Sequence, residues 1–127
     1  MAKLRFSFAS SGAADLLVLY IPSHDRDEQP IDQDKWVTKA LDFLGRTFHG
    51  ATAFPKARGV WRDDERGGQL IFDEPVIVQC YTNLKLLESK SDELGEFLIE
   101  MGRDTRQGAV GFVINREFFE IPFPLEK

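Results

Sequence analysis

The chain contains a single cysteine, Cys80, among its 127 residues. It can therefore close no internal disulfide, and without a CxxC pair it carries no thiol-based redox or zinc motif. Histidine is nearly as scarce: His24 and His49 are the only two, which limits any metal centre built from imidazoles. Long apolar runs are missing as well. The longest, Leu16 to Ile21, falls far short of the roughly 20 residues that cross a bilayer, and the stretch from Met1 to Phe6 is too polar for a signal peptide. No membrane association is expected, and a cytoplasmic location is the default. There is no basic excess either: 16 Lys and Arg face 21 Asp and Glu, a net charge of −5. That balance argues against general nucleic-acid affinity, which draws its energy from phosphate neutralisation. GxGxxG, P-loop, GxSxG, HExxH and EF-hand patterns are all absent.

What the chain does have is apolar side chains, 43% of the total, with eleven Phe against two Trp and two Tyr. That is enough to build a core and excludes intrinsic disorder. The length fits one domain, residues 1–127 with a core of about 15–121. Leu4, Phe6 and Phe8 alternate with polar residues, predicting an N-terminal strand that ends at Ser10-Ser11-Gly12. Leu16 to Ile21 is apolar without alternation, the pattern of a strand buried on both faces or central in a sheet. Pro22 stops it. Trp36, Ala40, Leu44 and Phe48 then recur every four residues, with Val37 and Leu41 beside them, which predicts one face of a helix. Asp32 or Asp34 can cap its first turn, and Gly50 can end it in the left-handed region.

A hairpin follows, with arms near Arg58 to Arg62 and Gln69 to Phe72 around an Asp63-to-Gly68 turn. Pro75 marks a break, past which Val76 to Tyr81 reads as the second arm continuing. Leu84, Leu87, Leu94, Leu98 and Met101 share a helical face flanked by Phe97; Ser91 and Gly95 weaken its middle, leaving one helix or two. Val110 to Ile114 and Glu117 to Ile121 form a last hairpin about Asn115-Arg116. The order predicts an α+β fold, a ferredoxin-like βαββαβ sandwich with an additional N-terminal strand and a C-terminal hairpin.

The RNA-recognition motif shares this topology, but it needs basic and aromatic side chains on its central strands. Here those strands read Val-Ile-Val-Gln-Cys-Tyr and Gly-Phe-Val-Ile-Asn, so no nucleic-acid partner is expected. The richest chemistry lies between Phe48 and Glu65. His49, Asp63 and Glu65, with Asp64, could supply metal ligands or a general base, and Arg58 and Arg62 could hold an anion. The simpler alternative is a solvated turn, with Trp61 packed on the first helix. Asp25 and Asp27 follow the first core strand, where some CRISPR-associated ferredoxin-like nucleases place a metal-binding Asp; a flexible polar loop explains them as well. Cys80 reads as a small buried hydrophobe rather than a nucleophile. Gln107 and Asn115 could read a ligand amide, though turn and capping roles also suit them.

Phe48-His49-Gly50-Ala51-Thr52, Gly59-Val60-Trp61-Arg62-Asp63 and Gln107-Gly108-Ala109-Val110 together resemble a group of small bacterial proteins of unknown function with a ferredoxin-like fold. The resemblance spans about residues 15–121. It implies the fold and brings no activity with it. The sequence favours a non-catalytic binding or interaction protein acting as a homodimer, because Phe112, Phe118, Phe119 and Phe123 exceed what one helix-covered sheet face can bury. Its partner beyond itself would be a protein or a small ligand, and no cofactor or metal is assigned. The alternative is a small metal-dependent hydrolase acting on a phosphorylated substrate, which requires His49, Arg58, Arg62, Asp63 and Glu65 to converge in one cleft. A third reading is a small-molecule sensor whose dimer cleft is lined by Trp61 and Tyr81.

Overall fold

In the computed structural model, which describes residues 6–10, 12 and 14–125, the apolar run after Asp15 becomes the middle of the sheet. β1 (Asp15–Ile21) is followed by α1 (Gln33–Phe48), the short β2 (Thr52–Ala53), and the hairpin strands β3 (Gly59–Asp63) and β4 (Gln69–Asp73). β5 (Val76–Thr82), α2 (Leu84–Ser89), α3 (Ser91–Asp104), β6 (Ala109–Ile114) and β7 (Glu117–Pro122) complete the order. The main sheet runs β2-β5-β1-β6-β7, and β3-β4 is a separate two-stranded sheet. β1 pairs antiparallel with both neighbours: Leu19 stands opposite Val78 on one side and Phe112 on the other. This is the ferredoxin-like α+β arrangement, extended by β7 at one edge.

Period-two alternation sends Leu17, Leu19 and Ile21 of β1 to one face, where they are fully buried with Val76, Val78 and Cys80 of β5. The helices cover that face. Trp36, Ala40, Leu44 and Phe48 of α1 meet Leu94, Leu98 and Met101 of α3 over it, as the four-residue spacing requires. Phe43 stacks on Phe97 at 5.0 Å between ring centroids, tying α1 to α3. Burial pushes the Cys80 thiol from an ordinary 9.0 up to about 11, so it carries almost no thiolate near neutrality. A thiol reagent at pH 8 is expected to leave the native protein unlabelled and to label it at once in denaturant; rapid native labelling would contradict the burial. Because the unfolded thiol ionises first, stability falls as pH rises from about 9 to about 11.

Several expectations are corrected. The described part of the N-terminal segment is a turn, with the Ala9 amide donating to the Phe6 carbonyl at 3.1 Å; Phe6 and Phe8 are exposed, and Leu4 lies outside the described residues. His49, not Gly50, takes the left-handed position after α1, at φ 77°. Its amide still reaches the Gly45 carbonyl at 3.1 Å, so the helix end is satisfied without glycine. Asp32 is the cap, accepting from the Lys35 amide at 3.2 Å. β5 does not continue the hairpin's second arm. Pro75 lacks an amide proton and ends that ladder, and β5 joins the main sheet while Thr52–Ala53 supplies the short strand beside it. The 84–104 region is two helices, separated at Lys90, and Leu84 is exposed rather than on their common buried face.

The tail beyond β7 packs back on α3. The Phe123 amide donates to the Gly108 carbonyl at 2.9 Å, and its ring lies so close to Gly102 that a Cβ there would overlap it. Gly102→Ala is expected to cost about 1–3 kcal/mol by expelling that ring. Gly95→Ala, in open space on the same helix, should instead stabilise by about 0.5–1 kcal/mol. Thermal unfolding of the pair measures the contrast; equal effects would mean that Phe123 is not packed there.

Candidate functional site

The hairpin residues singled out by sequence do not converge with the rest. Asp63 accepts from the Glu65 amide at 3.1 Å and opens a short 3-10 turn, Asp64–Arg66. Arg62 pairs with Asp64 through its Nε, and Arg66 approaches Asp63 at 3.4 Å. The tip's charges thus largely satisfy one another. His49 sits at the C-terminal end of α1, and Tyr81, two-thirds exposed, stands on β5 opposite Leu16. Among the described residues no hydrogen bond or ion pair joins His49, Arg58 or Tyr81 to the hairpin tip. No group of three or more His, Cys, Asp or Glu able to hold a metal occurs among them either. Among the described residues, no metal-holding cluster therefore supports the hydrolase reading. Trp61 is 54% exposed on the hairpin, which corrects its expected packing on α1.

A second cluster, not anticipated from sequence, closes the end of β1. The buried Ser23 hydroxyl donates to Asp73 Oδ1 at 2.5 Å, and accepts from the Glu74 amide at 3.1 Å. With that proton committed, the 2.7 Å contact to His24 Nδ1 is one in which the ring donates an Nδ1–H to the hydroxyl oxygen. Gln33 bridges the same region, donating to the carbonyls of Ile21 and Glu74 at 3.1 and 2.9 Å, while its buried Oε1 has no partner among the described residues. Gln107 donates to the His24 carbonyl at 2.8 Å, a turn-anchoring role. Asp25 accepts from the amides of Asp27 and Gln29. The Gln29 amide first, then that of Asp27 and the charges of Arg106 and Arg26, hold its carboxyl below the ordinary range despite an opposing desolvation effect. Asp27 pairs with Arg106 at 2.9 Å. Ser23 lies 50 residues from Asp73, and only the sheet topology brings them together.

A third feature is the sheet face opposite the helices. Tyr20, Tyr81, Phe54 and Phe118 are exposed there by 36, 66, 42 and 59%, with Leu16, Val18, Ile77 and Val113 half-buried between them. Thr52 and Gln79, paired across β2 and β5, add polar groups. Phe118 leans over Gly111, so the glycine makes room for the ring. At the rim, Asn115 takes a left-handed φ of 57°; its Oδ1 accepts from the Leu16 amide at 3.0 Å and its Nδ2 donates to Asp15 at 2.9 Å. Asn115 therefore extends the ladder rather than reading a ligand. The unalternating apolar run of β1 fits its central place in the sheet, and among the described residues the helices cover one of its two faces.

No sequence-family model matches the chain, and no curated protein matches it. Solved structures do. A phage SAM lyase in complex with S-methyl-5'-thioadenosine superposes with a TM-score of 0.68 at 16% identity, covering 97% of this chain and 100% of that one. A phage SAM lyase in the apo state gives 0.64 at 17% identity, over 94% of this chain and 98% of that one. A divalent cation tolerance protein, CutA1 of Thermus thermophilus, gives 0.53 at 8% identity, over 91% and 88%. The likeness is one of fold, over nearly the whole chain. No helix among the described residues is long and apolar enough to cross a membrane.

Proposed function

We propose that this chain is a small-ligand-binding protein that works self-associated, and that its ligand is a sulfur-containing adenosine nucleoside of the S-adenosylmethionine type. The observation that carries the reading is the bare sheet face, where the exposed ring of Tyr81 stands beside the amide and hydroxyl of Gln79 and Thr52. An aromatic ring gives a purine a stacking surface, and neighbouring amide and hydroxyl groups can hydrogen-bond its edges or the ribose. A largely apolar floor suits a thioether or sulfonium methyl group. The ligand class is suggested by the phage SAM lyase, with which the chain shares its fold end to end.

That shared fold also favours a second reading, cleavage. Releasing S-methyl-5'-thioadenosine from S-adenosylmethionine breaks the bond between the sulfonium sulfur and the γ-carbon. The bonding pair stays on sulfur, which leaves as a neutral thioether. The γ-carbon takes a new bond from an oxygen of the substrate's own carboxylate, which closes a five-membered lactone with no proton to remove. That course needs a site that orients the substrate more than one that activates it.

Calorimetry with S-adenosylmethionine and with S-methyl-5'-thioadenosine separates binding from no binding, and chromatography of the same mixtures reads cleavage. Saturable binding of either, weakened in Tyr81→Ala with the fold intact, supports the binding reading. Appearance of S-methyl-5'-thioadenosine above the spontaneous rate supports cleavage. Heat-silent titrations with no shift in unfolding midpoint would remove both.

A further inference from the structure

We propose that Glu120 is the residue that selects the charge of the ligand: its carboxylate, with the rings of Tyr20 and Phe118, holds a small organic cation of the sulfonium type and discriminates against the neutral thioether. The inference rests on the ligand reading above and adds to it the group that reads charge.

The ladder registers place these three side chains on one face. Val18 pairs with Gln79 and with Val113, and Val113 pairs with Phe118, so a single row crosses the sheet on the side opposite the helices. Two residues further on, Gly111 pairs with Glu120, and the antiparallel register of β1 with β6 carries Tyr20 towards Gly111 from the other side. Gly111 has no side chain, and the Phe118 ring fills the space that one would take. Tyr20 and Glu120 are thus walls two strands apart, about 10 Å between backbones, with Phe118 as the floor between them. Tyr81 stands on the Leu16 row. A ligand whose purine stacks there runs its sulfur-bearing arm over the Val18 row towards these groups.

Charge complementarity names the occupant. Of the side chains that the five strands send to this face, Glu120 alone is charged at neutral pH, and no ion pair engages it among the described residues. An aromatic ring attracts a cation through the negative potential of its face, and the carboxylate adds a full opposite charge. A metal ion or a primary ammonium must give up strong hydration to reach the rings. A sulfonium, whose charge is spread over its carbon substituents, gives up far less. A neutral thioether touches the same rings and gains nothing from the carboxylate. The site therefore holds S-adenosylmethionine more tightly than any product or analogue whose sulfur has lost its charge.

The test uses the full chain and Glu120→Gln, a change at an exposed position of the edge strand that keeps the side-chain shape; circular dichroism and the unfolding midpoint check its fold. Trimethylsulfonium is the first probe, followed by amide chemical shifts. Shifts centred on Tyr20, Gly111, Phe118 and Glu120 are expected in the wild type, with binding about fivefold weaker in the variant, the scale of one exposed charge pair. No shifts there, or equal binding by both proteins, overturns the proposal and leaves the carboxylate as a guard on an edge strand. Calorimetry then compares S-adenosylmethionine with S-adenosylhomocysteine, which lacks the sulfonium methyl and its charge. The wild type should prefer the former by about tenfold, and Glu120→Gln should lose most of that preference while its affinity for S-adenosylhomocysteine stays as it was. A parallel loss of both ligands would show a structural role and overturn the proposal. Silent titrations with both, beside persistent trimethylsulfonium shifts, would remove the adenosine reading and leave the cation site standing, so the two failures are distinguishable.

Discussion

Leu19→Ala is expected to destabilise the protein by about 3–4 kcal/mol, within the range for leucine truncation in a close-packed core. Leu19 has no exposed surface, sits mid-way along the central strand, and is flanked by Val78 and Phe112. Paired strands on both sides hold the backbone in place, so the walls cannot collapse into the space left behind. For a chain of this length the unfolding midpoint should fall by roughly 10–15 °C. Leu84→Ala is the control: the side chain is half exposed at the start of α2, and its removal should change stability by about 0.5 kcal/mol or less. Chemical denaturation of the two variants gives the contrast. A small effect at Leu19 would place the core elsewhere.

The second large effect is expected at the end of β1. Ser23→Ala removes the donor to Asp73 and the acceptor of the Glu74 amide in one step, leaving a half-buried carboxylate and a backbone amide short of partners. The expected cost is about 1–3 kcal/mol. Asp73→Ala should cost a similar amount, and the double variant less than the sum, since both remove the same bond. Hydrogen exchange would distinguish this from general weakening: protection should be lost first over Gly59 to Asp73, while β1 and α1 stay protected. Strict additivity, or uniform loss of protection, would mean that the serine does not anchor the hairpin.

Much of the fold was legible because its strongest signals are local. The four-residue spacing of Trp36, Ala40, Leu44 and Phe48 predicted α1, and the apolar run of Val76 to Tyr81 predicted β5. The errors fall where local pattern is silent. Thr52–Ala53 is too short to show a period, so its place beside β5 went to the longer Arg58-to-Arg62 segment, which forms a separate ribbon. Gly50 reaches the left-handed region at less cost than His49, so residue type alone points to a helix end one residue too late. The alternation of Leu4, Phe6 and Phe8 has nothing to pair with over its described part, and a strand needs a partner as well as a period. The candidate site was less legible. Neither the pairing of Ser23 with Asp73 nor the separation of His49 from the hairpin follows from spacing, since both depend on which strand lies beside which. Tyr81 was singled out from sequence, and the structure shows its neighbours Gln79 and Leu16.

The position of β1 between β5 and β6 also dictates when the protein can fold. Its two hydrogen-bonding partners lie about 60 and 95 residues further along, as Leu19 with Val78 and with Phe112 illustrates. During vectorial synthesis the Leu16-to-Ile21 segment leaves the ribosome long before either partner exists. Loops of that length make closure slow and keep an apolar strand on offer to other nascent chains. α1, built on local contacts, can form while β1 waits. Ribosome-held chains stopped before Ala109 should therefore remain protease-sensitive across β1, and those extended beyond Pro122 should become resistant. Early resistance would show that β1 and β5 close without the third strand.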